Sequence, residues 1–211
     1  MKVKVPENIN EITLGQVQDY VKLEEVTDYD ITRIFFGLSK QKTNQLKKSD
    51  ADFLVERIKE LLDQEVTELT PRFKLNGKEF GFIPDLDDMT KGEHADLLKY
   101  INDFQQMHRA MAVLYRPITL SQYGKYDIEE YKGTKKYANT MKQMPFGVMV
   151  SSKVFFWNLT TDLLNSIPRF IEEESQIALA ESGELTRLST SLQAVMCSDS
   201  MKQLGLTYTL L

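Results

Sequence analysis

The sequence Pro71-Arg-Phe-Lys-Leu-Asn-Gly-Lys-Glu-Phe-Gly-Phe-Ile-Pro84 constrains the fold more than any other part of this chain. Asn76-Gly77 favours a two-residue type I′ loop, because both central residues of that turn need positive φ. The loop predicts a β-hairpin over about 72–83 in which Leu75 faces Lys78. Alternation along the strands then places Phe73, Leu75, Phe80 and Phe82 on one face.

A lone hairpin is marginal in water, so its phenylalanine face must pack against another element. The sequence Thr90-Lys-Gly-Glu93 has the pattern of a capping box, and Pro117 marks a natural stop. We therefore expect one long helix between them, covering the hairpin. Its apolar face consists of Leu97, Tyr100, Ile101, Phe104, Met107, Met111, Leu114 and Tyr115.

Helical patterns dominate the rest of the chain. Three helices are predicted before the hairpin, near 13–21, 31–38 and 49–62, and a short one over 137–144. Residues 118–131 allow a second β-ribbon that turns near Gly124. The most apolar run, 146–164, contains Lys153, Asn158 and Asp162, which makes it a buried core helix rather than a membrane span. Ile167-Pro168 should end it, with another helix over 169–180.

These patterns predict an α+β protein that is predominantly α-helical. We expect a single compact domain over 1–182 with a β-hairpin at its centre, followed by a C-terminal amphipathic extension over 183–211. In the extension, serines and threonines alternate with apolar residues, a pattern suited to docking on a partner or on the parent domain.

No familiar catalytic motif occurs in the sequence. His94 and His108 are the only histidines, and 14 residues of helix would separate them by roughly 21 Å, too far to share a metal ion. Core-edge or interface histidines that are satisfied by hydrogen bonds are the favoured interpretation. The acidic cluster at Asp85, Asp87 and Asp88 fits turn formation and helix capping. We therefore predict no enzymatic activity, no cofactor and no metal.

Charge and cysteine content narrow the class of protein further. The net charge of −5 disfavours a nucleic-acid-binding face, and no membrane segment is predicted. A single cysteine, Cys197, excludes an intramolecular disulfide framework and fits a reducing cytoplasm. Binding to other proteins remains the favoured activity. The predicted contact residues are Phe80 and Phe82, provided that the following helix leaves them uncovered, and Leu192, Val195, Met196 and Met201 in the extension.

Three segments carry a resemblance to a known group of proteins. They are Pro71 to Glu93, His108 to Ile118 (His-x-Ala-Met-Ala-Val-Leu-Tyr-Arg-Pro-Ile) and Tyr131-Lys-Gly-Thr134. Together they resemble a group of tailed-bacteriophage proteins encoded among tail and virion genes and described as tail assembly chaperone-like. The similarity covers roughly residues 1–175 and is strongest over 71–134.

The resemblance implies a bacteriophage tail-module assembly protein that acts in the host cytoplasm. Its expected partners are the tape measure protein and tail-tube subunits, and self-association into a homo-oligomer is left open. The alternative is a structural virion component of the head-tail junction, tail or baseplate. The group has no catalytic signature to transfer to this chain.

Overall fold

The computed structural model describes the backbone of residues 3–173 and the side chains up to residue 161, apart from residue 160. The predicted extension over 183–211 therefore lies outside the described residues, as do Leu192, Val195, Met196 and Met201. Within residues 3–173 the architecture is α+β and predominantly helical, which confirms the predicted fold class.

Four helices precede the first strand. They are α1 (Leu14–Val21), α2 (Asp28–Phe36), α3 (Lys40–Asn44) and α4 (Lys48–Leu62). Thr13 and Thr27 begin α1 and α2 with capping boxes, in which each threonine hydroxyl accepts from the backbone amide three residues on. Helix α2 ends at Gly37, whose φ of 65° is the left-handed conformation that glycine adopts most easily.

The predicted hairpin is confirmed with its register. Strand β1 (Arg72–Leu75) pairs antiparallel with β2 (Lys78–Phe82), so that Phe73 faces Phe80 and Lys74 faces Glu79. Asn76 and Gly77 have φ of 50° and 75°, as a type I′ turn requires. The rings of Phe73 and Phe80 stack with their centroids 5.6 Å apart, so the apolar face is preserved.

The single long helix predicted between Thr90 and Pro117 is wrong. The structure has α5 (Lys91–Ile101), a 3-10 turn over Phe104–Gln106 and α6 (Met107–Leu114). Asp103 breaks the helix because its side chain accepts a hydrogen bond from the Gln105 amide at 2.8 Å and so starts a new turn. The predicted capping box at Thr90 and Glu93 is present at the start of α5.

The predicted second ribbon is also present and begins earlier than expected. Strand β3 (Tyr115–Gln122) and β4 (Lys125–Ile128) form a hairpin, and β3 also pairs with β2. The resulting antiparallel sheet has the strand order β1-β2-β3-β4. Strand β3 therefore includes Pro117, opposite Phe80, where we expected the helix to end.

A register shift in β3 near Thr119 bends the second hairpin across the outer face of the first. The Tyr126 ring lies against Gly81 of β2, where a Cβ atom would overlap the ring. The Tyr126 hydroxyl donates to the Phe82 carbonyl oxygen at 2.8 Å. Strand β4 therefore packs on the outer face of β2, although its backbone pairs only with β3.

The chain continues through a 3-10 turn over Thr134–Lys136 and α7 (Ala138–Met141) into α8 (Phe146–Glu173). The break predicted at Ile167-Pro168 is wrong, since α8 runs through it. A proline removes one amide hydrogen bond, and the bonds on both sides allow a helix to continue. Of the α8 side chains that the structure describes, those up to Phe156 are buried or half-buried, whereas Asn158 and Leu159 are exposed.

The N-terminal helices are joined to the start of α8 by backbone contacts. The Leu14 amide donates to the Met144 carbonyl at 3.0 Å, and the Phe146 amide donates to the Ile12 carbonyl at 2.8 Å. Gly147 approaches the chain so closely that a Cβ there would overlap Asn10. One continuous core therefore connects the N-terminal helices, the sheet and α8.

Candidate protein-binding surfaces

The structure buries the two phenylalanines that we expected to contact a partner. Phe80 is 1% exposed and Phe82 is 4% exposed. The Phe82 ring packs against Tyr115 and Phe155, with centroid distances of 5.3 and 5.5 Å. Both side chains are covered, so the condition that we set for a binding role is not met. The cover of Phe82 comes from Phe155 and Phe156 of α8 and from Tyr115, which lies in β3.

His108 is a core residue, in agreement with the favoured interpretation. It is 7% exposed, and the Gln18 side-chain amide lies 3.2 Å from its Nδ1. Burial lowers the pKa of His108 to about 4, and the nearby cations Lys142 and Arg109 act in the same direction. The imidazole is therefore neutral at physiological pH, with Nδ1 accepting from Gln18. His94 lies half-buried on α5, separated from His108 by the break between α5 and α6.

The acidic cluster after β2 forms a turn. The Asp85 carboxylate accepts a hydrogen bond from the Asp87 amide at 2.9 Å, which is the geometry of an Asx-turn. Among the side chains described over residues 3–161, no three from His, Cys, Asp or Glu converge in a way that could hold a metal ion. The cluster is accounted for by its own backbone contacts.

A buried ion pair connects α5 to the sheet. The Arg116 guanidinium of β3 donates to the Glu93 carboxylate, and both side chains are largely buried. Burial alone would raise the pKa of Glu93. Hydrogen bonds from Thr90 and from Arg116 outweigh that effect and hold its pKa below the ordinary value. The Tyr131 ring covers the guanidinium, which excludes solvent from the pair.

Sequence reasoning missed this ion pair, and it also missed the burial of Lys153. The side chain of Lys153 on α8 is 6% exposed, and none of the carboxylates described in the structure pairs with it. Burial lowers the pKa of Lys153 to about 8. Lys153 is not among the residues that line the groove between the N-terminal segment and the end of α2.

A groove of about 370 Å³ lies between the N-terminal segment and the end of α2. Its apolar lining includes Ile12, Phe35 and Leu38. Gln16 holds the α2 wall in place, because its amide donates to the Ile34 carbonyl oxygen at 3.0 Å. The remaining lining residues are Val3, Lys4, Pro6, Glu11, Phe36, Gly37 and Lys42.

The surface that this groove exposes is predominantly polar, because Ile12, Phe35 and Leu38 at its floor are themselves buried. The Lys4 amine and the Glu11 carboxylate form an ion pair of 2.9 Å at its edge. Polar and apolar groups both occur in protein-binding sites. The groove was not predicted from sequence because its two walls are separated by more than twenty residues and neither has a motif of its own.

Several large apolar side chains remain exposed outside the groove. Tyr123, in the turn between β3 and β4, is fully exposed, and Leu120 beside it is half-exposed. The others are Val26, Phe53 and Leu159. They lie on different elements, so they do not form one continuous apolar face.

The site geometry defines a helix-rich α+β protein with a largely polar groove and a projecting aromatic turn. Comparison with protein-family models, with curated proteins and with solved structures found no match to this chain. Within residues 3–173, no helix combines the length and the apolar character needed to cross a bilayer. The observations that bear on function are therefore the groove, the β3–β4 turn and the resemblance over residues 71–134.

Proposed function

We propose that this chain is a tail-module assembly protein of a tailed bacteriophage, acting by protein-protein binding in the host cytoplasm. Its partners are the tape measure protein or tail-tube subunits. The observation that carries the proposal is the groove between the N-terminal segment and α2, whose largely polar surface includes the half-buried side chain of Phe36. The resemblance over residues 71–134 supplies the phage context.

The chemistry of the groove suits a peptide better than a reacting substrate. Its charged lining residues are Lys4, Glu11 and Lys42, of which Lys4 and Glu11 are paired with each other. Gln16 uses its amide to hold α2, so it is committed to structure. In the proposed chaperone, Phe36 contacts apolar side chains of a tape measure segment, and the polar lining binds the polar groups of that segment.

The affinity expected from one groove is moderate. Burying apolar surface contributes roughly 25 cal/mol per Å², and ordering the bound segment offsets part of this gain. A moderate affinity suits an assembly factor, because polymerising tube subunits must displace it. We propose that the protein dissociates as the tail tube grows.

A matched pair of variants tests the groove. Phe36 lines the groove, whereas Phe53 is 59% exposed on α4 and does not line it. Each of Phe36→Gln and Phe53→Gln is co-expressed with the tape measure protein and, separately, with the tail-tube subunit. We expect Phe36→Gln to reduce co-purification and Phe53→Gln to leave it unchanged. Far-UV circular dichroism checks that both variants fold. Equal recovery of both variants would contradict a binding role for the groove.

A second experiment separates the assembly chaperone from a structural virion component. Quantitative mass spectrometry compares purified particles with infected-cell lysate. Abundance in lysate and absence from particles supports the chaperone. A fixed copy number in particles would instead make the protein part of the head-tail junction, tail or baseplate.

A further inference from the structure

The turn between β3 and β4 uses an unfavourable residue for its backbone geometry. Tyr123 and Gly124 have φ of 52° and 80°, the same type I′ geometry as Asn76 and Gly77 in the first hairpin. Asparagine tolerates the left-handed region, whereas a bulky side chain there is a rare and costly conformation. The two hairpins thus provide an internal comparison of a favourable and an unfavourable residue at one position.

Packing within the described chain does not compensate for this cost. The Tyr123 side chain is fully exposed and takes part in none of the hydrogen bonds or aromatic pairs found among residues 3–161. Strained residues that gain nothing inside a fold are concentrated at functional positions. We therefore expect the interaction that compensates for the backbone strain at Tyr123 to be made with a group outside the described residues.

The turn is held in place by Arg72 of β1. Its guanidinium donates to Ser121 Oγ at 3.1 Å and to the Gly124 carbonyl oxygen at 3.2 Å, on the two sides of the turn. The same guanidinium stacks on the Tyr126 ring, 4.4 Å from its centroid. A braced turn presents Tyr123 in a fixed position, which lowers the entropy cost of binding through it.

The charges around the turn indicate what would receive it. Strand β4 contains one exposed cation, Lys125, and one exposed carboxylate, Asp127, whereas the whole chain has a net charge of −5. Lys125 is exposed, and Arg72 adds a second cation beside the turn. A complementary surface would carry carboxylates around an apolar pocket large enough for a phenol ring.

We propose that the β3–β4 turn is a second binding site, in which Tyr123 inserts into a carboxylate-rimmed apolar pocket of a folded partner subunit. A projecting side chain needs a concave acceptor, and an isolated helical segment has none. This inference rests on the proposed function, and it selects the tail-tube subunit over the tape measure protein as the partner of this site.

The test compares three full-length proteins for binding to the purified tail-tube subunit by biolayer interferometry. They are the wild type, Tyr123→Asn and the matched surface control Phe53→Asn. We expect Tyr123→Asn to weaken binding roughly thirtyfold, as the loss of an aromatic hot spot does, and Phe53→Asn to change it by less than about twofold. Lys125→Glu should weaken binding and slow association, with the larger effect at low salt.

The outcomes distinguish failure of this site from failure of the proposed function. Wild-type binding that Tyr123→Asn leaves unchanged would overturn the Tyr123 site and leave the assembly role standing. Wild-type protein that binds neither the tube subunit nor the tape measure protein would overturn both. Binding of a single-stranded DNA oligonucleotide that depends on Tyr123 would also overturn the proposal, because the turn would then stack on bases.

Discussion

At the scale of single residues, a substitution at Tyr123 is expected to increase the free energy of unfolding, whereas most substitutions decrease it. Replacing this fully exposed aromatic residue with asparagine should stabilise the fold, because asparagine accepts φ near 52° at lower cost. We expect a gain of about 1 kcal/mol in the free energy of unfolding, measured by urea denaturation. Asn76→Tyr in the first hairpin should lose more than this, because it also removes the hydrogen bond that the Asn76 amide donates to Gln143 Oε1 at 2.9 Å. A destabilised Tyr123→Asn protein would show that the ring packs on the chain.

His108 gives a prediction for the pH dependence of stability. Its pKa is about 4 in the fold and about 6.5 when unfolded, so the unfolded chain binds the extra proton. As far as His108 is concerned, the free energy of unfolding is highest above pH 6.5, and it decreases as the pH falls from 6.5 towards 4. By pH 5 the loss should reach about 2 kcal/mol.

The measurement is urea unfolding at pH 7 and pH 5 for the wild type and for His108→Gln. Glutamine cannot be protonated and keeps a polar group near Gln18. The decline between the two pH values should therefore be smaller in the variant by about 2 kcal/mol. An identical decline in both proteins would show that carboxylates, and not His108, determine acid sensitivity.

At the scale of elements, the closure of β4 over the first hairpin depends on a glycine. A Cβ at position 81 would overlap the Tyr126 ring, which is anchored through its hydroxyl to the Phe82 carbonyl. We expect Gly81→Ala to cost about 2 kcal/mol, in the range of overpacked sites. Gly92→Ala on α5 is the matched control, because the nearest atom to its new Cβ would be 3.9 Å away.

A double-variant cycle locates the cause of that loss. In the presence of Tyr126→Ser, the ring is absent and the cost of Gly81→Ala should largely disappear. Additive effects of the two changes would mean that the alanine disturbs the strand itself rather than the packing of β4 on β2.

Glu93 takes part both in the ion pair with Arg116 and in the capping box at the start of α5. The energetic contributions of the two interactions can be measured separately. Glutamine at position 93 can still accept from Thr90 at the third position of the helix, but it cannot pair as an anion with Arg116. Glu93→Gln should cost about 3 kcal/mol, because it leaves a buried guanidinium uncompensated. The double variant Glu93→Gln with Arg116→Met should be more stable than the single variant when both are measured by thermal unfolding. The opposite order would contradict this explanation.

The elements also show what a sequence can and cannot specify. The first hairpin was predicted with its register because Asn76-Gly77 is a local signal that determines both strands. The break after α5 was missed because the apolar spacing continues through Asn102 and Asp103, so periodicity alone indicates one helix. The groove and the Arg116–Glu93 pair were missed because they depend on how distant elements pack. The tail contacts at Leu192, Val195, Met196 and Met201 remain predictions.

At the scale of the whole molecule, the N-terminal helices and α8 should unfold together. The Gly15 amide donates to the Lys142 carbonyl at 2.7 Å, and a Cβ at position 15 would lie 2.9 Å from the same oxygen. Such close backbone contact connects the first helices to the segment that starts α8. A single cooperative transition is expected when most of a chain shares one core.

Trp157, the sole tryptophan, lies on α8 and reports on that helix by fluorescence, while far-UV circular dichroism reports on all helices. The two urea transitions should coincide in the wild type. In Gly15→Ala both midpoints should fall equally, by an amount equivalent to about 1–3 kcal/mol. If only the circular dichroism transition moved, the N-terminal helices would be a separate unit. The groove they line would then be able to open without disturbing the sheet that carries Tyr123, and the two proposed binding sites would act independently.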